Sequence, residues 1–480
     1  MNDRKGFGSN FGFLMAAVGS AVGLGNIWGF PNKMGANGGF PFLILYLALA
    51  LCCGVIIMLG ELALGRKTGH GAVGAYQSIS KRFKWLGWLG IAAAALIFSF
   101  YSALGGYCLR YMVVNFGNLI GAEFGTNGVG GADVFQGLLS QPDVSIAFAL
   151  AFMLITMLVV MCGVGGGIER VCSVGMPALF FILIICIIRS CTLPGAADGL
   201  KYMFVPGWAV ANGIIDEAPG FWRVLTAAGG QMFFSLSLGA GVMITYGSYL
   251  DKKQDLGKST MIIVGMDTVV ALMAGLCVIP GRFALDPNGA LGGPELLFIT
   301  MQNVFDKMGP AGPVFGILFY LLVFFAAISS SISMLEVIVA HFCDKAREKG
   351  KGDRRKLYSA IAVVICAALC ALVCADGMGS NHISPAELLG LAGAKLPGWS
   401  TSWLGLFDSV AEGLLMPLGA LLMCLMISWE LKPDALRQEI LLNGENRPWV
   451  YDFFRLCVKY ITPLCMLMIL YGQISDFFIA

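Results

Sequence analysis

Apolar runs long enough to cross a bilayer recur along the whole chain, separated by short polar stretches. A ~30 Å hydrocarbon core needs roughly 20 such residues in a helix, and eleven segments meet that length: about 10–32, 39–65, 86–118, 144–163, 167–190, 222–250, 257–281, 312–343, 356–375, 402–429 and 453–476. This pattern predicts an all-α membrane protein, a single polytopic domain over residues 1–480 that crosses eleven times.

Two of the runs are spoiled in the middle. The first contains Gly19-Ser20-Ala21-Val22-Gly23-Leu24-Gly25-Asn26-Ile27-Trp28-Gly29-Phe30-Pro31. Each Gly costs about 1 kcal/mol relative to Ala inside a helix. At membrane depth a loosened helix survives only where protein buries it or where it lines a cavity. The sixth run holds a similar stretch, Gln231-Met232-Phe233-Phe234-Ser235-Leu236-Ser237-Leu238-Gly239-Ala240-Gly241. The breaks lie five spans apart. Five is odd, so spans six to ten would repeat spans one to five upside down, with span eleven added. Paired interruptions at matching places of two halves point to a midplane site of a secondary transporter. There the half-helix N-termini suit an anion and the freed carbonyls a cation. Glycines that merely let helices pack closely explain one such run equally well. Two breaks, carrying Asn26 and Ser235, favour a site.

Composition agrees with this reading. The chain is 58% hydrophobic and 12% charged, against about 45–50% and about 25% for soluble domains, so no soluble domain is expected. The first span is too long and Gly-rich for a cleavable signal peptide. Most of the 31 Lys and Arg fall in alternate loops, in clusters such as Arg66–Lys84, Lys252–Lys258, Lys345–Lys356 and Lys432–Lys459. The positive-inside rule then puts the N-terminus in the cytoplasm and the C-terminus outside, in a plasma (inner) membrane. A net charge of +2 without a basic, aromatic-interleaved patch gives no reason to expect nucleic acid. The 15 cysteines sit mostly in apolar runs, where Cys acts as a small hydrophobe. His70, His341 and His382 are too scattered for a metal or catalytic cluster, and neither HExxH nor GxSxG occurs, so the chain does not read as an enzyme. A channel would want a continuous lined pore rather than two short breaks.

The chain resembles the neurotransmitter:sodium symporters, in particular their bacterial amino-acid branch with the LeuT-type fold. The likeness runs from Arg4 to span eleven. It is carried by GSAVGLGNIW in span one, Asn37-Gly38-Gly39 before span two, QMFFSLSLG and ITYGSY in span six, and FFAAISSSIS in span eight. Many relatives have twelve spans against eleven here. The LeuT fold is itself a type example of paired broken helices, so that agreement adds no independent support. The resemblance implies sodium-coupled import of an amino acid, with the lipid bilayer and the substrate as partners and no obligate protein partner.

Two sodium sites follow from the resemblance, position by position. The first uses the Ala21 carbonyl, Asn26, Ser235 and Asp267, with the substrate carboxylate. The second uses carbonyls of Gly19, Val22 and Ala326 with the hydroxyls of Ser329 and Ser330. Hard cations take oxygen ligands, which both sets supply. Read without the family, the serines of span eight serve equally well as bonds to their own helix. Asp267 is more telling, because an intramembrane carboxylate is costly and marks a functional site by default. Several relatives carry Asn there and need chloride. Here Asp267 supplies the negative charge, and Ala271, one turn on, offers chloride no hydroxyl, so transport without chloride is expected.

For the substrate, Gly23 replaces the Asp with which the amine-transporting branch binds an ammonium, which favours an amino acid. Its carboxylate would meet the first sodium, the N–H groups of Leu24 and Gly25, and the Tyr101 hydroxyl. Its ammonium would meet carbonyls of Ala21, Phe234 and Ser235 and the Ser237 hydroxyl. Ile97, Tyr101, Phe234, Ala240, Ser330 and Met334 would line the side-chain pocket. Some relatives have Phe or Met at Ala240, and the smaller residue suggests a large apolar or aromatic side chain. A betaine or a short aliphatic amino acid is the alternative.

At the inner gate the resemblance pairs Arg4 with Asp344, beside Phe7 and Tyr249. At the outer gate Asp408 is kept, but the family's Arg is Gly29, with Arg110 or Lys33 as candidate replacements. Gly167 and Pro177 match a motif for local unwinding of span five, and a proline removes one helical hydrogen bond in any case. Glu61 matches a residue that bonds the span-six break.

Overall fold

A computed structural model describes all residues except 1–5, 127, 287–294, 391–397, 432–433, 442–447 and 480. Among the described residues the secondary structure is helical throughout. Nine helices are long and apolar enough to span a membrane: Phe40–Thr68, Leu86–Ile120, Pro142–Met161, Val164–Cys191, Leu256–Leu285, Gly309–Glu348, Arg355–Asp376, Trp403–Leu431 and Trp449–Ser475. They correspond to spans two to five and seven to eleven. Span one is a bent pair, Asn10–Ala21 and Gly25–Ala36, with a 43° angle between the halves. Span six is also divided, into Phe221–Ser235 and Val242–Gly247, so neither half is long enough to span alone. These eleven match the segments expected from hydropathy, most ends within a few residues. The sequence pattern missed the short helices in the connections, among them Ala72–Ile79, Gly131–Leu139 and Ala196–Phe204.

The span-one break is a redirection of hydrogen bonds. In an unbroken helix the N–H groups of Gly23, Leu24 and Asn26 would close onto the carbonyls of Gly19, Ser20 and Val22. Here Gly23 donates to Asn26 Oδ1 (3.0 Å), Leu24 to Tyr101 Oη (2.6 Å), and Asn26 to the Gly23 carbonyl (3.1 Å). Three carbonyls are thereby released in the middle of the molecule, beside residues that are almost fully buried.

The span-six break is built from left-handed backbone: Ser237 (φ 53°), Gly239 (φ 80°) and Gly241 (φ 74°). Gly239 is required both by this φ and by space, since a Cβ there would lie 2.1 Å from the Met416 carbonyl oxygen. The expectation for Glu61 holds. Its Oε1 accepts the Gly239 N–H at 2.7 Å, a charge-assisted bond that pins the break to span two.

Span five is not unwound between Gly167 and Pro177. After a wide turn at Val164–Ile168 the helix Glu169–Cys191 runs through Pro177 without interruption. The proline deletes one donor, but its neighbours keep the helical path, so the motif leaves a weak point and not an opening.

Candidate functional site

The two breaks face one another, and span seven places Asp267 between them. Asp267 Oδ1 accepts from Asn26 Nδ2 (2.7 Å), and both its oxygens lie 3.0 Å from Ser235 Oγ. Asn26 Nδ2 also reaches the Asp267 carbonyl (2.9 Å). Tyr46 on span two donates to Oδ2 (3.1 Å). Asn26, Ser235, Asp267 and Tyr46 are all fully buried. Sequence reasoning brought together three of these four and missed Tyr46, which reads as one more aromatic in an apolar run. None of the three side-chain partners of Asp267 is basic, so the carboxylate suits a cation, and the oxygens of Asp267 and Ser235 are hard donors of the kind that fit sodium as a co-transported ion.

Of the second expected sodium set, Gly19, Ser329 and Ser330 lie together. A Cβ on Gly19 would lie 3.1 Å from Ser329 Cβ, so spans one and eight touch there. Ser330 Oγ reaches the Gly19 and Ser20 carbonyls at 3.3 and 3.1 Å. Ser329 Oγ donates to carbonyls of Phe325 and Ala326, both at 3.0 Å, the bonding to its own helix that was the other reading of these serines. Val22 sits at the turn after span one's first half.

Around the substrate positions, Tyr101 and Phe234 are tilted neighbours with ring centroids 6.3 Å apart. A Cβ on Gly23 would fall 2.3 Å from Ser330 Oγ and 2.4 Å from Tyr101 Oη, and one on Gly25 would fall 3.0 Å from Phe234 Cδ1. The glycines therefore let the span-one break close on spans three, six and eight. The Leu24 N–H and the Tyr101 hydroxyl, both expected on the substrate carboxylate, bond to each other here. Ser237 Oγ, expected on the ammonium, donates to the Ser20 carbonyl (3.0 Å). Ala240 is fully buried, its carbonyl pressed against Gly90 of span three; Ile97 and Met334 are buried as well.

The two ends differ from expectation in instructive ways. At the end that carries Phe7, Arg4 lies outside the described residues. Asp344 accepts the Gly71 N–H (3.2 Å) and lies 3.9 Å from Arg347. Phe7 packs edge-on against Tyr246 and Tyr249, centroids 5.6 and 6.2 Å away. Behind them is a network that the sequence did not announce. Fully buried Glu336 accepts from Tyr249 Oη (2.6 Å) and from both Nη atoms of Arg355 (2.5 and 3.0 Å). Glu169 caps the start of span one through the Gly8 N–H (2.7 Å) and Ser9 Oγ (2.9 Å). At the opposite end Lys33 forms an ion pair with Glu412, and Asp408 lines the same cavity. Arg110, the other candidate, borders a different cavity with Thr126 and Asp133.

Two interrupted helices with freed carbonyls, an intramembrane carboxylate between them, and gate-like clusters at either end define a secondary transporter of the LeuT fold. The chain belongs to the sodium:neurotransmitter symporter family, whose model matches residues 4–127 and 132–478. It is 36% identical over 477 residues to YhdH, an uncharacterized sodium-dependent transporter of Bacillus subtilis, with 97% of each chain covered. A more distant relative is the sodium- and chloride-dependent GABA transporter ine of Drosophila melanogaster, 24% identical over 374 residues, covering 69% of this chain and 38% of that one. Among solved structures it is similar to MhsT in complex with L-phenylalanine: TM-score 0.83 and 33% identity, covering 98% of this chain and 100% of that one. The protein is thus a multi-pass, sodium-dependent transporter and not an enzyme.

Proposed function

We propose that the protein imports a hydrophobic or aromatic L-amino acid together with two sodium ions, by alternating access and without chloride. The observation that carries this reading is the buried Asp267, Asn26 and Ser235 cluster between the two breaks, which offers a full negative charge where a neutral residue would call for an anion. The solved relative's bound L-phenylalanine supports the substrate class. So does Gly23, whose surroundings leave no room for a carboxylate side chain to hold an amine.

In this scheme the first sodium sits on Asp267, Asn26, Ser235 and the Ala21 carbonyl, and is completed by the substrate carboxylate. The second bridges Gly19 and Val22 of span one to Ala326, Ser329 and Ser330 of span eight. Tyr101 releases Leu24 to reach the carboxylate. The N-terminus is cytoplasmic and the C-terminus external, in the plasma (inner) membrane. Moving one charge through ~100 mV is worth about 2.3 kcal/mol. Two sodium ions with a tenfold gradient then supply roughly 7 kcal/mol, enough for about 10⁵-fold accumulation. Uptake of L-phenylalanine into proteoliposomes under a sodium gradient, with chloride replaced by gluconate, tests the scheme. Unchanged uptake is expected, and uptake lost with chloride would overturn the role given to Asp267.

A further inference from the structure

The family's outer ion pair cannot form in this chain, because position 29 is glycine. Span six fills the space beside it: a Cβ on Gly29 would lie 2.9 Å from Gln231 Oε1. The same side chain donates through Nε2 to the Gly25 carbonyl at 2.6 Å, so Gln231 occupies the ground a longer residue at 29 would need. A basic and an acidic residue meet close by instead. Lys33 stands four residues after Gly29, and Glu412 four after Asp408. Each is therefore about one turn along its span; spans one and ten run in opposite directions, so Lys33 lies outward of Gly29 and Glu412 inward of Asp408. Their contact joins span one to span ten. It also rests on span six, since a Cβ on Gly230 would meet Gln473 Nε2 at 2.7 Å, Glu412 Oε1 at 2.8 Å and Lys33 Nζ at 3.6 Å. Two adjacent residues of span six thus serve the arrangement: Gly230 makes room for the pair, and Gln231 fills the place of the absent Arg. The side chains are 24% and 10% exposed, so the pair is largely withdrawn from water while still lining an open cavity of about 290 Å³.

We propose that Lys33 and Glu412 are the outer latch of the transport cycle, in place of the pair at 29 and 408 expected from the family. Beneath it, closure over the substrate is left to Tyr101 and Phe234, with Gln231 tying the half-helix of span one to span six. The proposal rests on the symporter reading for its place in a cycle, although the contact itself does not.

The test combines a substrate-independent readout with a substrate-dependent one. A cysteine at position 97 (I97C), in the side-chain pocket of the proposed scheme and so reached only past the latch, is labelled with a membrane-impermeant thiol reagent against the same full-length protein without that change, in which substrate release is measured. Lys33→Gln and Glu412→Gln each speed labelling about tenfold, the loss of a partly buried pair, and speed release of tritiated L-phenylalanine in sodium to a similar degree. The charge swap K33E/E412K returns both rates to within about threefold of the starting protein, which separates a latch from a folding defect. Asp408→Asn has an effect at least fivefold smaller than Glu412→Gln. Labelling rates that ignore both single changes, or a larger effect from Asp408→Asn, would overturn the proposal. Absence of sodium-dependent phenylalanine binding in the unmodified protein would instead count against the substrate reading, while the labelling arm still decides the latch.

Discussion

Asp267→Asn is the substitution that separates a sodium-binding carboxylate from a merely structural one. The side chain is nearly isosteric. Asn26 and Ser235 can still donate to the remaining carbonyl oxygen, and the new amide would face Tyr46, whose hydroxyl can turn and accept. Rearranging that bond costs about 1 kcal/mol. The charge is worth more: two unit charges about 4 Å apart attract by about 4 kcal/mol at an effective dielectric near 20. At about 1.4 kcal/mol per factor of ten, apparent sodium affinity should fall roughly 100- to 1,000-fold. The assay is the rise in Tm on adding sodium to purified protein, because a ligand that binds only the folded state stabilises it in proportion to the logarithm of its saturation. The wild type should show a sodium-dependent rise and the variant almost none, while without sodium the variant should melt no lower, since an uncompensated buried charge has been removed. Adding Ala271→Ser to the variant should make the rise depend on chloride. A sodium response within threefold of wild type in the single variant would refute the reasoning.

Three further outcomes follow from particular contacts. Arg355→Gln leaves the fully buried Glu336 without its cation and should lower stability by about 3–5 kcal/mol, most of it recovered in the double variant E336Q/R355Q, as read by thermal melts. Gly39→Ala combines a φ of +70° with a Cβ 2.1 Å from the Tyr202 carbonyl oxygen, and should lower Tm and the yield of folded protein. Ala240→Phe should shift competition for uptake toward smaller amino acids, by up to about 1–3 kcal/mol per methylene of mismatch; an unchanged order of preference would remove Ala240 from the pocket.

The sequence reading succeeded where a residue violated its surroundings. Glycines in an apolar run, a carboxylate inside span seven and Glu61 inside span two are each costly in hydrocarbon, and each sits at a break or a cluster. It failed where the partner was far away in the chain and ordinary in its place. Tyr46 lies in an aromatic-rich helix. Glu336 and Arg355 belong to different spans, and neither looks unusual until the other is beside it. Lys33 was a candidate for the lost Arg, but choosing it over Arg110 required knowing that Glu412 sits across from it. The Gly167–Pro177 motif is a different case. A weakness in the backbone was legible, yet neighbouring turns hold the helix in the state described here.

The most direct test of the central claim is a binding screen of the twenty L-amino acids on purified protein, in sodium and in potassium. The account predicts saturable binding of large apolar and aromatic amino acids such as L-phenylalanine, L-tryptophan, L-tyrosine or L-leucine, in sodium only. Binding indifferent to sodium, or confined to small aliphatic amino acids, would contradict it.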